Sequence, residues 1–337
     1  MSRPCIALIA DPTSSEGCRE YLATAVELLT GAPPVRIDAR HFATDGSGRG
    51  VRDGDRLRLR VPEEGLDFVP DVVVVYEIQP HRRRELAAFQ QLLELHHVVT
   101  LATGTDAWRT ATEKNLTVER FTRDGVAQME TVVLSRPGPR EAEAAFDRLG
   151  GDTWARPVIG TGGNDTFHVT TPDRLKDAAA FYAERETDWL LSRDAGNILP
   201  DGARHQFRVF VLGGRVVHAR EHIQPRTDIP CNTCQGATAV HIAPRDLPAR
   251  LTELAVAATA SVGLPFAGVD LAVENGGVVF EVNVHPAFVD GEIELERVAV
   301  PYIQAHLDAL TLARGDRPMV APRTRAPLGR GGRLSSH

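Results

Sequence analysis

The chain has 337 residues, enough for two or three lobes rather than one compact domain. Its 42% hydrophobic and 25% charged content is ordinary for a soluble globular protein, and a net charge of −7 argues against general binding to nucleic acid or anionic membrane. No segment approaches the roughly 18 apolar residues of a membrane span.

In chain order, "PCIALIAD" reads as a buried strand that runs into a turn-like "DPTSSEG" without a signal-peptide cleavage pattern, so a cytoplasmic enzyme is expected. "CREYLATAVELLTG" has apolar residues at helical spacing, with Gly31 as a stop. "PDVVVVYEI" is a second buried strand, "ELAAFQQLLELHH" an amphipathic helix and "VVTLAT" a third short strand. This alternation predicts a parallel α/β sheet over roughly the first 100 residues. The run "HRRRE" after the second strand reads first as a solvated helix start, and second as a patch for carboxylates.

"GTDAWRTATEKNLTVERFTRDG" reads as one polar helix with Asp106 as N-cap. Strand-like runs dominate from "TWARPVIGTGGNDTFHV" onward: "DWLLSR", then a hairpin "FRVFVLGGRVVHA" turning at Gly213–Gly214, then "ATAVHIA". A helix over "LPARLTELAVAATASVG" leads to a second hairpin, "FAGVDLAVENGGVVFEVN", and a closing helix covers "ELERVAVPYIQAHLDALTLA". Residues 313–337, rich in Arg, Pro and Gly, read as a disordered tail.

Three patterns carry chemistry. Glu281 and Asn283 alternate onto one face of the last strand, and the "ENGG" turn brings Asp270 beside them. These hard oxygen donors suit Mg²⁺, though a solvated face or strand-end caps would give the same spacing. "IGTGGNDTF" is glycine-rich between two strands and can offer backbone N–H groups to phosphate, yet it is neither a Walker A loop nor a dinucleotide fingerprint. Arg208 sits among apolar strand residues, so it needs a carboxylate or a phosphate. Lys114 and Lys176 are the only lysines among 38 basic side chains. The four cysteines are too few for a disulfide scaffold, and "CNTC" lacks a second pair for zinc, so a reduced loop pair is expected.

The order of these features resembles the ATP-grasp ligases, and "FAGVDLAVENGGVVFEVNVHPAF" most resembles the ending of the glutathione-synthetase-like branch that includes the ribosomal-protein glutamate ligases. The resemblance spans about residues 70 to 310. It implies an α/β ATP-grasp fold: an N-terminal parallel α/β lobe over 1–100, a central lobe over 101–190 and a C-terminal lobe over 191–312, the last two clasping ATP. It assigns Asp270, Glu281 and Asn283 to two magnesium ions, with Mn²⁺ as an alternative, and Lys114 to the ATP phosphates. Gly160, Thr161, Gly162 and Gly163 match the flexible phosphate-covering loop, and Asn232 with Gly236 matches a spacing near the triphosphate. Arg208 matches an arginine facing the phosphates and the acyl-phosphate.

Some positions depart from the family pattern. Arg156 stands where a second ATP lysine is usual, and Gln206 replaces an Asp. The next family arginine is either Arg220 or displaced by His222. The adenine hinge falls near Leu190 to Arg193 and is placed at Leu191.

The activity implied is ATP-dependent ligation of a carboxylate to an amine, on an amino acid, a peptide or a specialised-metabolite precursor, with ADP and phosphate released. A homodimer is compatible with the resemblance; nucleic acid and membrane are not expected partners. A small-molecule kinase and an inactive ATP-binding regulator are the rival readings.

Overall fold

A computed structural model of the chain describes residues 3–102, 104–289 and 291–315. In chain order, β1 (Ile6–Ala10), α1 (Cys18–Thr30) and β2 (Val35–Asp38) lead into β3 (Arg49–Asp53), β4 (Arg56–Val61) and β5 (Leu66–Phe68). β6 (Val72–Val75), α2 (Ala87–Leu95), α3 (Thr105–Thr112), α4 (Lys114–Asp124), β7 (Thr131–Leu134) and α5 (Pro139–Arg148) follow. Then come β8 (Thr153–Pro157), β9 (Phe167–Val169), α6 (Pro172–Glu184), β10 (Trp189–Arg193), β11 (Arg204–Leu212) and β12 (Arg215–Gln224). The chain closes with β13 (Thr238–Ile242), α7 (Ala249–Val262), β14 (Phe266–Ala272), β15 (Val278–Asn283), α8 (Gly291–Glu294) and α9 (Val300–Ala313).

The expected parallel sheet forms in the order β2-β1-β6. Its central residues are buried on both faces, which is why β1 and β6 read as unbroken apolar runs. Each of the four valines of β6 is at most 1% exposed, a burial that contributes about 1.5–3 kcal/mol per side chain relative to exposure. Gly31 ends α1 in the left-handed conformation (φ 71°) and returns its N–H to Glu27.

Four local expectations are corrected. "VVTLAT" forms only a single parallel bridge, Val99 to Val72, not a strand. The polar helix is two helices: Glu113 is extended (φ −94°, ψ 102°) and breaks the run, so that Lys114 opens α4 with its N–H bonded to Val158 O at 3.0 Å. Gly104, not Asp106, caps α3; Asp106 lies in its first turn, where a carboxylate favours the helix dipole. The antiparallel sheet β3-β4-β5 was not anticipated. Its strands are arginine-rich, and alternation leaves only Leu57, Leu59 and Val61 to mark the buried face of β4.

The remaining strands build two antiparallel sheets, β7-β10-β8-β9 and β13-β12-β11-β14-β15. Both expected hairpins of the second are present, with Gly213 and Gly214 at positive φ in the first turn. α7 covers one face of this sheet through Leu251, Leu254 and Ala258 against Val269 and Leu271. Phe210 and Phe266, on the other face, pack with α1, β1, β6 and α9 in a separate core. α3 and α4 pack on β15 and α7.

The closing helix is interrupted by a π turn over Leu295–Ala299. Among the described residues, no helix is long and apolar enough to cross a membrane. The tail expected from residue 313 lies, from 316 onward, outside the described residues.

Candidate active site

Register alone aligns the charged residues. Across the five-stranded sheet, His241 opposes Arg220, Arg220 opposes Arg208, Arg208 opposes Asp270 and Asp270 opposes Glu281. Directly opposed residues share a face, so two arginines and two carboxylates form one row. The polar residues of "FEVN" lie on that row's face, while Val282 turns to the opposite core.

Each carboxylate of the row has a cation. Asp270 receives Arg208 through both oxygens, Nη2 to Oδ2 at 2.8 Å. Burial opposes the Arg208 charge, but Asp270 and Glu281 hold its pKa above the ordinary arginine value. The Lys114 ammonium lies 3.1 Å from Glu281 Oε1 and donates to Gly160 O at 3.2 Å. Asn283 donates to Asp270 Oδ2 and to Gly268 O, both at 3.2 Å, which leaves its carbonyl oxygen without a partner among the described residues. Two carboxylates and that oxygen make an oxygen-only donor set, which fits a hard divalent cation.

A cleft holding about 1170 Å³, open mouth included, runs from this row to the four-stranded sheet. Lys114, Arg156, Gly160, Thr161, Gly163, Asn232, Asp270 and Glu281 line it, and so all of these predicted residues meet in one place. Arg156 donates to Phe280 O at 3.1 Å and to Ser192 Oγ at 3.3 Å, while its Nε has no partner. It makes no ion pair among the described residues, and burial lowers its pKa despite Glu281. A cation so placed favours an anionic ligand.

The glycine loop closes over the cleft against the "CNTCQG" segment. Gly163 has φ 72°, and a Cβ there would come within 2.8 Å of Pro230, so only glycine fits without displacement. Gln235 donates to Gly162 O at 3.1 Å and to Asn164 Oδ1 at 3.2 Å. Gly162 itself is not part of the lining; a Cβ there would lie 3.6 Å from Cys234 Cβ. Cys231 is buried and donates to His222 O, whereas Cys234 is exposed; both are free thiols.

The structure locates three further positions singled out in the sequence. The side chain of Leu191 is fully buried in the core of the four-stranded sheet, and Ser192 and Arg193 are the β10 residues that line the cleft. Arg220 and His222 lie on the row's face but do not line the cleft, and neither does Arg208. Arg220 is held by Glu294 of α8 and by Ala287 O, and donates its Nε to His222 Nε2 at 2.9 Å. Burial, then Arg208 and Arg220, lowers the His222 pKa to about 2, so the ring is neutral and its Nδ1 carries the proton. The "HRRRE" run forms a 3₁₀ helix whose arginines are engaged, Arg82 with Asp11 and Arg84 with Glu113, while Arg83 turns inward.

Arg204 and Asn197 escaped the sequence reading. Arg204 shares its face of β11 with Gln206 and Arg208, pairs with Asp194 at 2.8 Å and with Asn197 Oδ1 at 2.8 Å, and lies over the Trp154 ring. The polar alternation of "RHQFR" was the available signal.

Residues 196–296 match the RimK-like ATP-grasp domain family, a span that holds Arg208, Asp270, Glu281 and Asn283 but neither Lys114 nor the glycine loop. The whole fold is similar to D-alanyl-alanine synthetase A from Vibrio cholerae, with TM-score 0.67 and 16% identity over 93% of this chain and 100% of that one. The fold is ATP-grasp. Other ATP-grasp structures agree: D-cycloserine synthetase DcsG has TM-score 0.64 and 18% identity, covering 91% of this chain and 99% of that one. The ligase PsnB, complexed with a minimal precursor, has TM-score 0.62 and 15% identity, covering 91% and 100%. PsnB has also been seen with Mg and ADP. In sequence, a probable alpha-L-glutamate ligase of Parasynechococcus marenigrum is 43% identical over 82 residues, which is 23% of this chain and only 16% of that relative. This ATP-grasp chain therefore aligns with a small part of the curated relative it matches.

Proposed function

We propose that this chain is an ATP-dependent carboxylate–amine ligase that works through an acyl-phosphate. The observation that carries the reading is the convergence of Lys114 and Arg156 with Asp270 and Glu281 in one cleft, with Arg208 paired to Asp270 and Asn283 bonded to it. Two cations beside oxygen donors form a surface suited to a triphosphate, where the chemistry needs positioning and charge stabilisation more than covalent help. Ser192 and Arg193, with the backbone around them, form the wall on which an adenine would rest.

A substrate carboxylate oxygen attacks the γ-phosphorus, the new O–P bond forms, and the β–γ bridge breaks with its electrons to ADP. Lys114 and Arg156 neutralise charge on the phosphate oxygens, and Arg208 holds the Asp270 carboxylate in place. Mg²⁺ held by Asp270, Glu281 and Asn283 would supply Lewis-acid screening of the phosphate oxygens. An amine then attacks the acyl carbon, the amide C–N bond forms, and the acyl C–O bond breaks to release phosphate, with the amine proton lost to solvent or phosphate. Closure of the glycine loop under Gln235 keeps water from the acyl-phosphate.

The test is ADP release from the full chain with ATP, Mg²⁺ and a panel of acids and amines, beside Glu281→Ala. Acid-dependent ADP release with an amide product by mass, lost in the variant, supports the ligase. A phosphorylated product would replace it with the kinase, and ATP binding without turnover on any acid with the regulator.

A further inference from the structure

The second hairpin turns at "ENGG", with Asn275, Gly276 and Gly277 all at positive φ (55°, 77° and 91°). Glycine would serve position 275 as well as it serves the next two, since it takes the left-handed region without the cost that a Cβ brings. A side chain at that position therefore needs a reason outside the turn.

Its amide supplies one. Asn275 Nδ2 donates to Ala195 O at 2.7 Å and lies 3.8 Å from Met129 Sδ. Ala195 and Met129 both line the large cleft, whereas Asn275 itself does not. Ala195 belongs to the crossing 194–197, which carries the chain from β10 toward β11. It also packs on Ala272 and Val278, the last residue of β14 and the first of β15.

Other elements hold the two ends of the crossing. Asp194 accepts from Trp154 Nε1 and from Gly196 N, both at 2.6 Å, and pairs with Arg204 at 2.8 Å. Asn197 accepts the His205 N–H at 3.0 Å and receives Arg204 on its Oδ1. The His205 ring is fixed in turn between Glu221 at 2.6 Å and Glu274, the chain neighbour of Asn275, at 2.9 Å. Asn275 holds the middle of the crossing.

We infer that Asn275 is a positioning residue for the nucleotide, setting the crossing at the depth where Ala195 and its neighbours meet the adenine. This rests on the ATP site of the ligase reading and on none of its chemistry. Asn275 acts through Ala195, so its loss is felt in nucleotide affinity and not in the chemical step.

The experiment uses the full chain and two variants. Asn275→Gly removes the amide and keeps a residue suited to the left-handed turn. Asn275→Asp keeps the shape but turns a carboxylate oxygen toward the Ala195 carbonyl, so that two acceptors face each other. Calorimetry with a non-hydrolysable ATP analogue and Mg²⁺ reads Kd, ADP release at varied ATP reads KM and kcat, and urea denaturation reads the fold. Kd and KM for ATP should rise about three- to tenfold in Asn275→Gly, the loss of one net hydrogen bond, and further in Asn275→Asp. The kcat at saturating ATP should stay within about twofold of the native value.

A native Kd in either variant, or a fall in kcat at unchanged Kd, overturns the inference. Loss of cooperative unfolding in Asn275→Gly also overturns it, by making Asn275 a residue of the fold. The ligase reading survives each of these results. It falls instead if the native chain binds the analogue and forms no amide from any acid and amine, and the Kd values then still judge Asn275. A native chain that does not bind the analogue overturns both.

Discussion

Lys114 and Glu281 meet at 3.1 Å because the chain breaks between α3 and α4 and presents the lysine as the first residue of a helix packed on β15. The break at Glu113 is itself braced, since Arg84 and Arg109 both pair with its carboxylate. Lys114 thus reaches Glu281 and the glycine-loop carbonyl at once, and links the two sides of the cleft.

Lys114→Met should lower kcat/KM for ATP by about 100-fold or more, the loss of one strong phosphate contact. Lys114→Arg should recover little, because a planar fork does not fill the place of a compact ammonium. Steady-state kinetics with varied ATP decide the matter.

Asp270→Asn should destabilise the chain by about 3–5 kcal/mol, because it strands the Arg208 guanidinium within the sheet. Glu281→Gln, at a half-buried position, should cost clearly less while still abolishing turnover. Urea denaturation of both variants measures the difference, and equal losses would contradict the assigned pairing.

Acid should weaken the fold through histidines rather than carboxylates at first. His222, His285 and His306 are all held below the ordinary value of 6.5 by burial, His222 to about 2 and His306 to about 4. Their folded-state pKa values lie below the unfolded one, so the unfolded chain binds more protons. The stability they contribute is present above pH 6.5 and is lost as pH falls from there toward the folded values. Denaturation at pH 7, 6 and 5 should show this fall, and His306→Gln should make it shallower by about one proton's worth.

Gln235→Leu should free the glycine loop from its two side-chain bonds. The expected result is faster proteolysis between residues 160 and 166 and a KM for ATP raised about three- to tenfold, in keeping with the loss of modest hydrogen bonds. ATP with Mg²⁺ should protect the native loop more than the variant loop.

The acid–amide set was legible because a period-2 strand cannot hide two polar residues on one face without a reason, and a tight hairpin fixes what stands opposite. Arg208 was legible for the same reason: an apolar strand made its charge conspicuous. Asn197 was not, since it sits in an irregular loop where any polar residue is unremarkable, and only its bond to Arg204 gives it meaning. The turn of Leu191 away from the cleft depended on strand phase, which shifts with one residue. The split at Glu113 left no mark in composition, because both halves are good helix sequence and the break is set by contacts from Arg84, Arg109 and Val158.

The scarcity of lysine has a practical outcome. Lys176 is exposed on α6, whereas Lys114 is buried in the cleft beside Glu281. An amine-directed reagent therefore finds one fast side chain and one slow one. The slow one is a built-in reporter: its labelling rate follows the opening of the cleft in the untouched natural sequence, without an introduced probe.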